Sequence, residues 1–152
     1  MKSVVKILVT IGMLLLTLNV QAKSWETDFE KASEEAKESG KYILLDFSGS
    51  DWCGWCIKLE KEVFKKNDFK KYADDNLVCV LIDFPNKKRL SKKEKAQNAE
   101  LAKRFGVRGY PTVIVLDSNG ELAGRTGYQK GGPENYVSHL TEIISKHKAS
   151  KK

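Results

Sequence analysis

Trp52-Cys53-Gly54-Trp55-Cys56 is the most informative stretch of this sequence. It follows an apolar run at 42–47 that is typical of a buried strand, and it precedes the apolar spacing of a helix. Cys53 is therefore expected at the N-terminus of that helix, where unpaired backbone N–H groups and the helix dipole stabilise a thiolate. Cys56 lies one helical turn further on. This placement favours thiol–disulfide exchange between the two cysteines.

A cysteine pair can also bind zinc, attach haem or form an inert surface disulfide. Zinc needs about four ligands, and the remaining candidates have no ligand-like spacing to the pair. These candidates are Cys79, His139 and His147. Haem attachment requires a histidine directly after the second cysteine, where this chain has Ile57. The spacing thus argues against zinc and haem, and an inert disulfide stays open as an alternative.

Composition indicates a single globular domain. The chain has 152 residues, of which 41% are hydrophobic and 31% charged, with a formal net charge of +7. Such a chain is long enough for one domain and too polar for a multi-span membrane protein. Three cysteines cannot supply the framework of a small disulfide-rich scaffold.

The first 22 residues have the pattern of an export signal. Lys2 and Lys6 precede an apolar run at 7–20, and residues 20–22 read Val-Gln-Ala, a small-x-small cleavage pattern. The run is shorter than the ~20 residues that cross a bilayer, which makes an uncleaved anchor the weaker alternative. We predict a signal peptide at 1–22, one folded domain at 23–152, and a periplasmic or secreted location, where disulfides persist.

Apolar periodicity predicts an α/β fold built on a central mixed sheet. A capping-box pattern from Thr27 to Glu30 opens the first helix, whose apolar face is expected to include Trp25, and Gly40 ends it. One helix follows the cysteine pair, and Pro133 opens the last helix. The order α, β, α, β, α, β, β, α gives a parallel half and an antiparallel edge hairpin flanked by helices. The predicted strands span 42–47, 77–82, 112–116 and 121–126, with a helix at 96–104.

These motifs resemble the thioredoxin superfamily. The resemblance rests on 45–47, on the cysteine motif at 52–56 and on Gly106-Val107-Arg108-Gly109-Tyr110-Pro111-Thr112, and it covers residues 25–147. Segments 56–64 and 125–128 further resemble small secreted bacterial thioredoxin-like proteins and the periplasmic C-terminal domain of the bacterial transmembrane disulfide reductase. The resemblance implies a thioredoxin fold and thiol–disulfide oxidoreductase activity without an organic cofactor or metal. It implies that Cys53 is the nucleophile and Cys56 the resolving thiol.

The resemblance also implies roles for Asp46, Tyr110 and Pro111. Pro111 matches the family's cis-proline, which would present the backbone of Tyr110 to an extended substrate segment; an ordinary trans proline is the alternative. Asp46 matches the buried aspartate near the resolving cysteine, where burial raises its pKa and lets it exchange a proton with a thiol. A carboxylate hydrogen-bonded to backbone is the alternative.

Two departures from the family pattern bear on Asp46. The loop at 48–51 is one residue longer than usual, which leaves the register between Asp46 and Cys53 open. Cys79 stands where thioredoxins usually carry a lysine that accompanies the aspartate. We interpret Cys79 as a small buried apolar residue, since free cysteine is among the most buried residue types.

Residues around the motif point to protein substrates. Trp52 and Trp55 flank the nucleophile, and exposed aromatic side chains there would form an apolar docking patch. Six basic residues lie within the nine-residue stretch 87–95, which is either a solvated loop or a surface for an acidic protein or an anionic surface. Charge alone gives no support for nucleic-acid recognition.

The sequence therefore predicts an exported, monomeric thiol–disulfide oxidoreductase that exchanges disulfides with protein thiols and draws electrons from an upstream membrane donor. A redox-inert thioredoxin-fold interaction or chaperone-like module is the alternative. Trp55 replaces the proline that thioredoxins usually carry and restores a backbone N–H, which we expect to point toward the sulfur of Cys53. Because one such hydrogen bond changes the potential only modestly, we predict a reductase or electron relay.

Overall fold

The computed structural model describes residues 24–152, so the predicted signal peptide at 1–22 lies outside the described residues. Its strands are β1 (Tyr42–Ser48), β2 (Leu77–Asp83), β3 (Thr112–Leu116) and β4 (Leu122–Thr126). They form one sheet in the order β2-β1-β3-β4. β1 and β2 are parallel, β3 is antiparallel to β1, and β4 is antiparallel to β3. The predicted mixed sheet with an antiparallel edge hairpin is confirmed.

Helices cover both faces of this sheet. They are α1 (Phe29–Ser39), α2 (Gly54–Leu59), α3 (Asn67–Asn76), α4 (Lys92–Arg104) and α5 (Gly132–Ser150). Gly40 ends α1 in the left-handed region, with φ of 72°, as predicted. The start of α1 differs from the prediction, because the N-cap is Asp28 and not Thr27. The Asp28 carboxylate accepts hydrogen bonds from the N–H groups of Glu30 and Lys31.

The single helix predicted after the cysteines is wrong, because the chain forms three segments there. α2 continues into a π-helical turn, Glu60–Phe64, in which the N–H of Lys65 donates to the carbonyl of Glu60. α3 then begins separately at Asn67. Phe69 and Ala73 of α3 are buried and Tyr72 packs beside them, an amphipathic spacing that the prediction did not use.

The core consists of two apolar clusters, one on each face of β1. All seven residues of β1 are buried, as expected for a central strand. Leu44 packs toward α3 and α5, while Ile43 and Leu45 pack toward α1 and α4. Trp25 was expected on the face of α1, but it precedes the helix and packs on Phe64, with ring centroids 4.8 Å apart. Within residues 24–152, none of the helices is both long enough and apolar enough to traverse a bilayer.

Candidate active site

The cysteine pair lies where the loop after β1 enters α2. Cys53 is the N-cap of α2, as predicted, and forms a disulfide with Cys56. The N–H of Cys56 donates to the Sγ atom of Cys53 at 3.2 Å, and the N–H of Cys53 donates to the carbonyl of Gly49 at 2.8 Å. Cys53 is 7% exposed and Cys56 4% exposed. A backbone donor at the N-terminus of α2 is therefore directed at this sulfur, and such a donor favours the thiolate form.

The donor to the Cys53 sulfur is not the one expected from the sequence. Trp55 was expected to supply it, but the hydrogen bond comes from Cys56. In an N-cap interaction the side chain accepts from the second or third residue of the helix, and Cys56 is the third residue of α2. The stabilising interaction thus depends on the helix start and not on which residue occupies position 55.

Asp46 is buried on β1 and lines a cavity of about 290 Å³ together with Cys56 and Glu60. Among the described residues, its Oδ1 atom has no hydrogen-bond partner, contrary to the alternative of a fully hydrogen-bonded carboxylate. Burial, reinforced by the negative charges of Glu60 and Asp83, raises the pKa of Asp46 to about 7. Asp46 and Cys56 thus line the same cavity despite the longer loop at 48–51. With a pKa of about 7, the Asp46 carboxyl can exchange a proton near neutral pH.

Trp52 and Tyr110 form an aromatic surface on one side of Cys53. The indole Nε1–H of Trp52 donates to the carbonyl of Phe84 at 2.7 Å, and its ring meets Tyr110 edge-on with centroids 5.8 Å apart. Trp52 remains 46% exposed. A Cβ atom added at Gly49 would lie 2.4 Å from the indole ring, so a glycine is required for this packing. These contacts hold Trp52 in one orientation while leaving part of its ring accessible.

Trp55 stands between the two cysteines in the chain and is 55% exposed, as expected. Its ring contacts Tyr128 with centroids 5.1 Å apart, and the Nζ of Lys58 lies 5.0 Å from the Trp55 centroid. The Tyr128 hydroxyl donates to Glu62 at 2.6 Å. Tyr128 belongs to the segment 125–128 that carries part of the family resemblance, but its place beside Trp55 was not predicted.

The Tyr110–Pro111 peptide bond is cis, as the resemblance implies. Tyr110 also packs on Phe84, with centroids 5.3 Å apart, so the loop before β3 lies against the end of β2. The hydroxyl of Thr112 donates to the carbonyl of Gly109 at 2.7 Å and holds the turn. This loop therefore shares the aromatic surface of Trp52.

The residues considered for zinc lie in other surroundings. Cys79 is half-buried on β2 and packs against the core, although it is more exposed than the buried residue we expected. His139 contacts the Thr126 hydroxyl at 2.9 Å, and His147 contacts the Tyr42 hydroxyl at 3.1 Å. One acidic cluster joins Asp117, Glu121 and His147. The Lys151 ammonium bridges both carboxylates of that cluster, so a cation of the protein already occupies the space between them.

A cysteine pair at the start of a helix, on a sheet of this topology, defines a thiol–disulfide oxidoreductase. The chain belongs to the thioredoxin-like domain family, whose model matches residues 29–143. This match confirms the resemblance and the fold inferred from the sequence.

Curated relatives agree with this enzyme class. Disulfide bond reductase DsbH of Chlamydia pneumoniae is 37% identical over 120 residues, which cover 79% of this chain and 72% of that protein. The thiol:disulfide interchange protein DsbD of Vibrio cholerae is 30% identical over 119 residues, 76% of this chain but 18% of that protein. The chain thus spans most of the first relative and less than a fifth of the second.

Solved structures agree with the fold. A DsbH oxidoreductase structure has a TM-score of 0.78 at 34% identity, over 82% of this chain and 86% of that one. A thioredoxin from Thermus thermophilus has a TM-score of 0.64 at 18% identity, over 87% of this chain and 95% of that one, which shows the shared fold alone.

Proposed function

We propose that this chain is an exported reductase or electron relay that transfers electrons to the disulfides of protein substrates. The proposal is carried by one arrangement: Cys53 caps α2 and accepts a hydrogen bond at its sulfur, while a buried carboxyl of raised pKa lines the cavity at Cys56. The name of the DsbH relative, disulfide bond reductase, supports the reducing direction. The sequence pattern at 1–22 supports export to the periplasm or beyond.

Reduction begins with Cys53. Its thiolate attacks one sulfur of the substrate disulfide, a bond forms between that sulfur and Cys53, and the substrate S–S bond breaks. The leaving substrate thiolate takes a proton from solvent. The N–H of Cys56 and the start of α2 stabilise the attacking thiolate.

Cys56 completes the reaction. Its thiol gives a proton to the Asp46 carboxylate, and the resulting thiolate attacks the Sγ atom of Cys53. The bond to the substrate breaks, the second substrate thiolate leaves and is protonated, and the Cys53–Cys56 disulfide remains. Two electrons have then passed to the substrate. A dithiol on a partner protein, for which we propose an upstream membrane electron donor, restores the reduced pair by the reverse exchange.

Exposed groups around the pair are suited to a protein substrate. Trp52 and Trp55 flank Cys53 in the chain and offer apolar surface, and both rings are oriented by neighbouring contacts. We propose that Tyr110 and Pro111 bind the substrate backbone as an added strand. The chain acts as a monomer, does not bind nucleic acid, and requires no organic cofactor or metal for this exchange.

Export and exchange can be tested with the full chain expressed in a bacterial host. We expect the protein recovered from the extracytoplasmic fraction to begin at Lys23, as read by intact mass. We also expect its reduced form to reduce a protein disulfide, and the Cys53→Ser variant to be inactive. Recovery of the chain in the cytoplasm with Met1 intact would contradict export.

The redox-inert interaction module predicts a different result in the same assay. If the chain is such a module, the reduced protein binds its partners but does not reduce their disulfides. Its reduction rate would then equal that of Cys53→Ser. The enzyme names of the relatives favour exchange over this alternative.

A further inference from the structure

We propose that a groove beside Cys53 selects protein substrates that carry acidic side chains a few residues from the target cysteine. This inference rests on the proposed function and names the substrate class of the same site. This basic groove has a volume of about 570 Å³. Its defining residues are Trp52, Phe84, Lys88, Arg89, Lys95 and Tyr110.

The apolar part of the basic groove is continuous with the active site. Trp52 precedes the nucleophile directly, and its indole is tied to the Phe84 carbonyl. Tyr110 contacts both rings, at 5.8 Å from Trp52 and 5.3 Å from Phe84. A substrate segment leaving Cys53 on this side therefore passes over three aromatic side chains before it reaches the basic residues.

The basic part is fixed beside the site by Asp51. The Asp51 carboxylate accepts hydrogen bonds from the backbone N–H groups of Asn86, Lys87 and Lys88, at 2.9, 2.7 and 3.2 Å. These bonds lower the pKa of Asp51, so its carboxylate stays ionised and attached to the loop at neutral pH. The stretch at 87–95 is thus a loop and helix start held against the cysteine motif, which distinguishes it from a detached solvated loop.

The charge of the basic groove is positive. No salt bridge between described residues involves Lys88, Arg89 or Lys95. Asp83, the acidic residue in the lining, is buried and accepts hydrogen bonds from the N–H and hydroxyl of Ser50. Nearby Glu94 caps α4 by accepting from the Ser91 N–H at 2.9 Å. The lining of the groove thus carries three cationic side chains and one buried carboxyl, while Asp51 and Glu94 lie nearby and are bound to backbone N–H groups. The net charge of the lining is positive, so the complementary occupant is acidic.

The reach of the chain sets where those acidic side chains should lie. Asp51 is two residues from Cys53 and bonds directly to the backbone of Lys88. An extended segment advances ~3.3–3.6 Å per residue, so carboxylates about two to five residues from the substrate cysteine would reach Lys88, Arg89 and Lys95. We infer a partner segment with an apolar residue beside its cysteine and acidic residues beyond it.

The test compares disulfide-linked peptides that differ only in charge. In each peptide, two positions located two to five residues from the cysteine carry glutamate, glutamine or lysine. The second-order rate constant for reduction of each peptide is measured with the protein obtained by expressing the full chain. We expect the glutamate peptide to react faster than the glutamine peptide by about three- to tenfold, the size expected for two exposed ion pairs. The lysine peptide should react more slowly. The preference should shrink between ~0.02 M and ~0.5 M salt, because the interacting charges are exposed.

Two double variants locate the effect. In Lys88→Gln/Arg89→Gln, the ratio of the glutamate rate to the glutamine rate should fall to near one. Lys37→Gln/Lys71→Gln removes the same charge from exposed positions outside the groove and should keep the ratio. The inference is overturned if wild type shows no charge preference, or if both double variants lose it equally. It is also overturned if the groove variant instead loses binding to anionic phospholipid vesicles while the peptides react alike.

A small uncharged disulfide separates this inference from the proposed function. If wild type reduces that compound but ignores peptide charge, only the basic groove proposal fails. If wild type reduces none of the disulfides, the proposed function itself fails.

Discussion

Replacing Asp46 by asparagine should change how the stability of the oxidised protein depends on pH. The carboxyl has an ordinary pKa of 3.8 and a pKa of about 7 in the fold. As the pH rises above about 4, the unfolded chain releases this proton while the folded protein retains it. The free energy of unfolding therefore falls until the pH reaches about 7, and it stays constant with respect to this group above that.

The magnitude follows from the two pKa values. At ~1.36 kcal/mol for each pKa unit, the ionised Asp46 lowers the free energy of unfolding by ~4 kcal/mol above neutral pH. Asparagine cannot ionise, but its buried amide would lack partners at a cost of ~1–3 kcal/mol. We expect Asp46→Asn to be more stable than wild type by ~1–3 kcal/mol at about pH 8, and less stable at about pH 4.

Urea unfolding of the disulfide form measures this difference at several pH values. Asp75→Asn is the matched control, because it makes the same substitution at an exposed position on α3 and should follow the wild-type profile. The reasoning is refuted if the stability difference between wild type and Asp46→Asn is the same at pH 4 and pH 8. Such a result would mean that Asp46 is either solvated or hydrogen-bonded in the folded protein.

Two further predictions concern the chemistry and the aromatic surface. Cys53→Ser should abolish reduction of a protein disulfide, whereas Cys56→Ser should accumulate a mixed disulfide with the substrate, visible on a non-reducing gel; normal turnover by Cys53→Ser would overturn the assignment. Gly49→Ala forces the indole of Trp52 to move, so it should destabilise the fold by ~1–3 kcal/mol and slow peptide reduction severalfold. Gly109→Ala, whose Cβ meets nothing within 4 Å, is its control. Equal stability and rate in the two glycine variants would show that Trp52 packing does not matter.

The strands and the cysteine site were predictable because each depends on local sequence. The run at 42–47 is apolar throughout, and β1 is buried on both faces. The position of Cys53 before a helix likewise made its capping role readable. By contrast, α3 follows the π-helical turn after only two residues, so its apolar positions were not separated from those of the preceding helix. The turn at 60–64 packs Val63 and Phe64 into the core.

The electrostatic interactions of the site could not be predicted from the sequence, because they join residues from separate segments of the chain. The raised pKa of Asp46 comes first from burial and then from the negative charges of Glu60 and Asp83, which lie on other segments of the chain. The attachment of the basic stretch to Asp51 depends on backbone N–H groups, which carry no side-chain signature in the sequence. The contact of Trp55 with Tyr128 joins residues far apart in the chain. The sequence thus identified the cysteines and Asp46, whereas the contacts that set the pKa of Asp46 and orient the surrounding side chains are visible only in the structure.

The reduction potential of the Cys53–Cys56 pair tests the central claim most directly. It can be measured by equilibrating the protein with a series of glutathione buffers and quantifying the disulfide fraction. A reductase or relay should have a potential between ~−270 and ~−200 mV, the range of thioredoxin and the glutaredoxins. A potential near ~−120 mV, the value of a strong oxidant, would contradict the account.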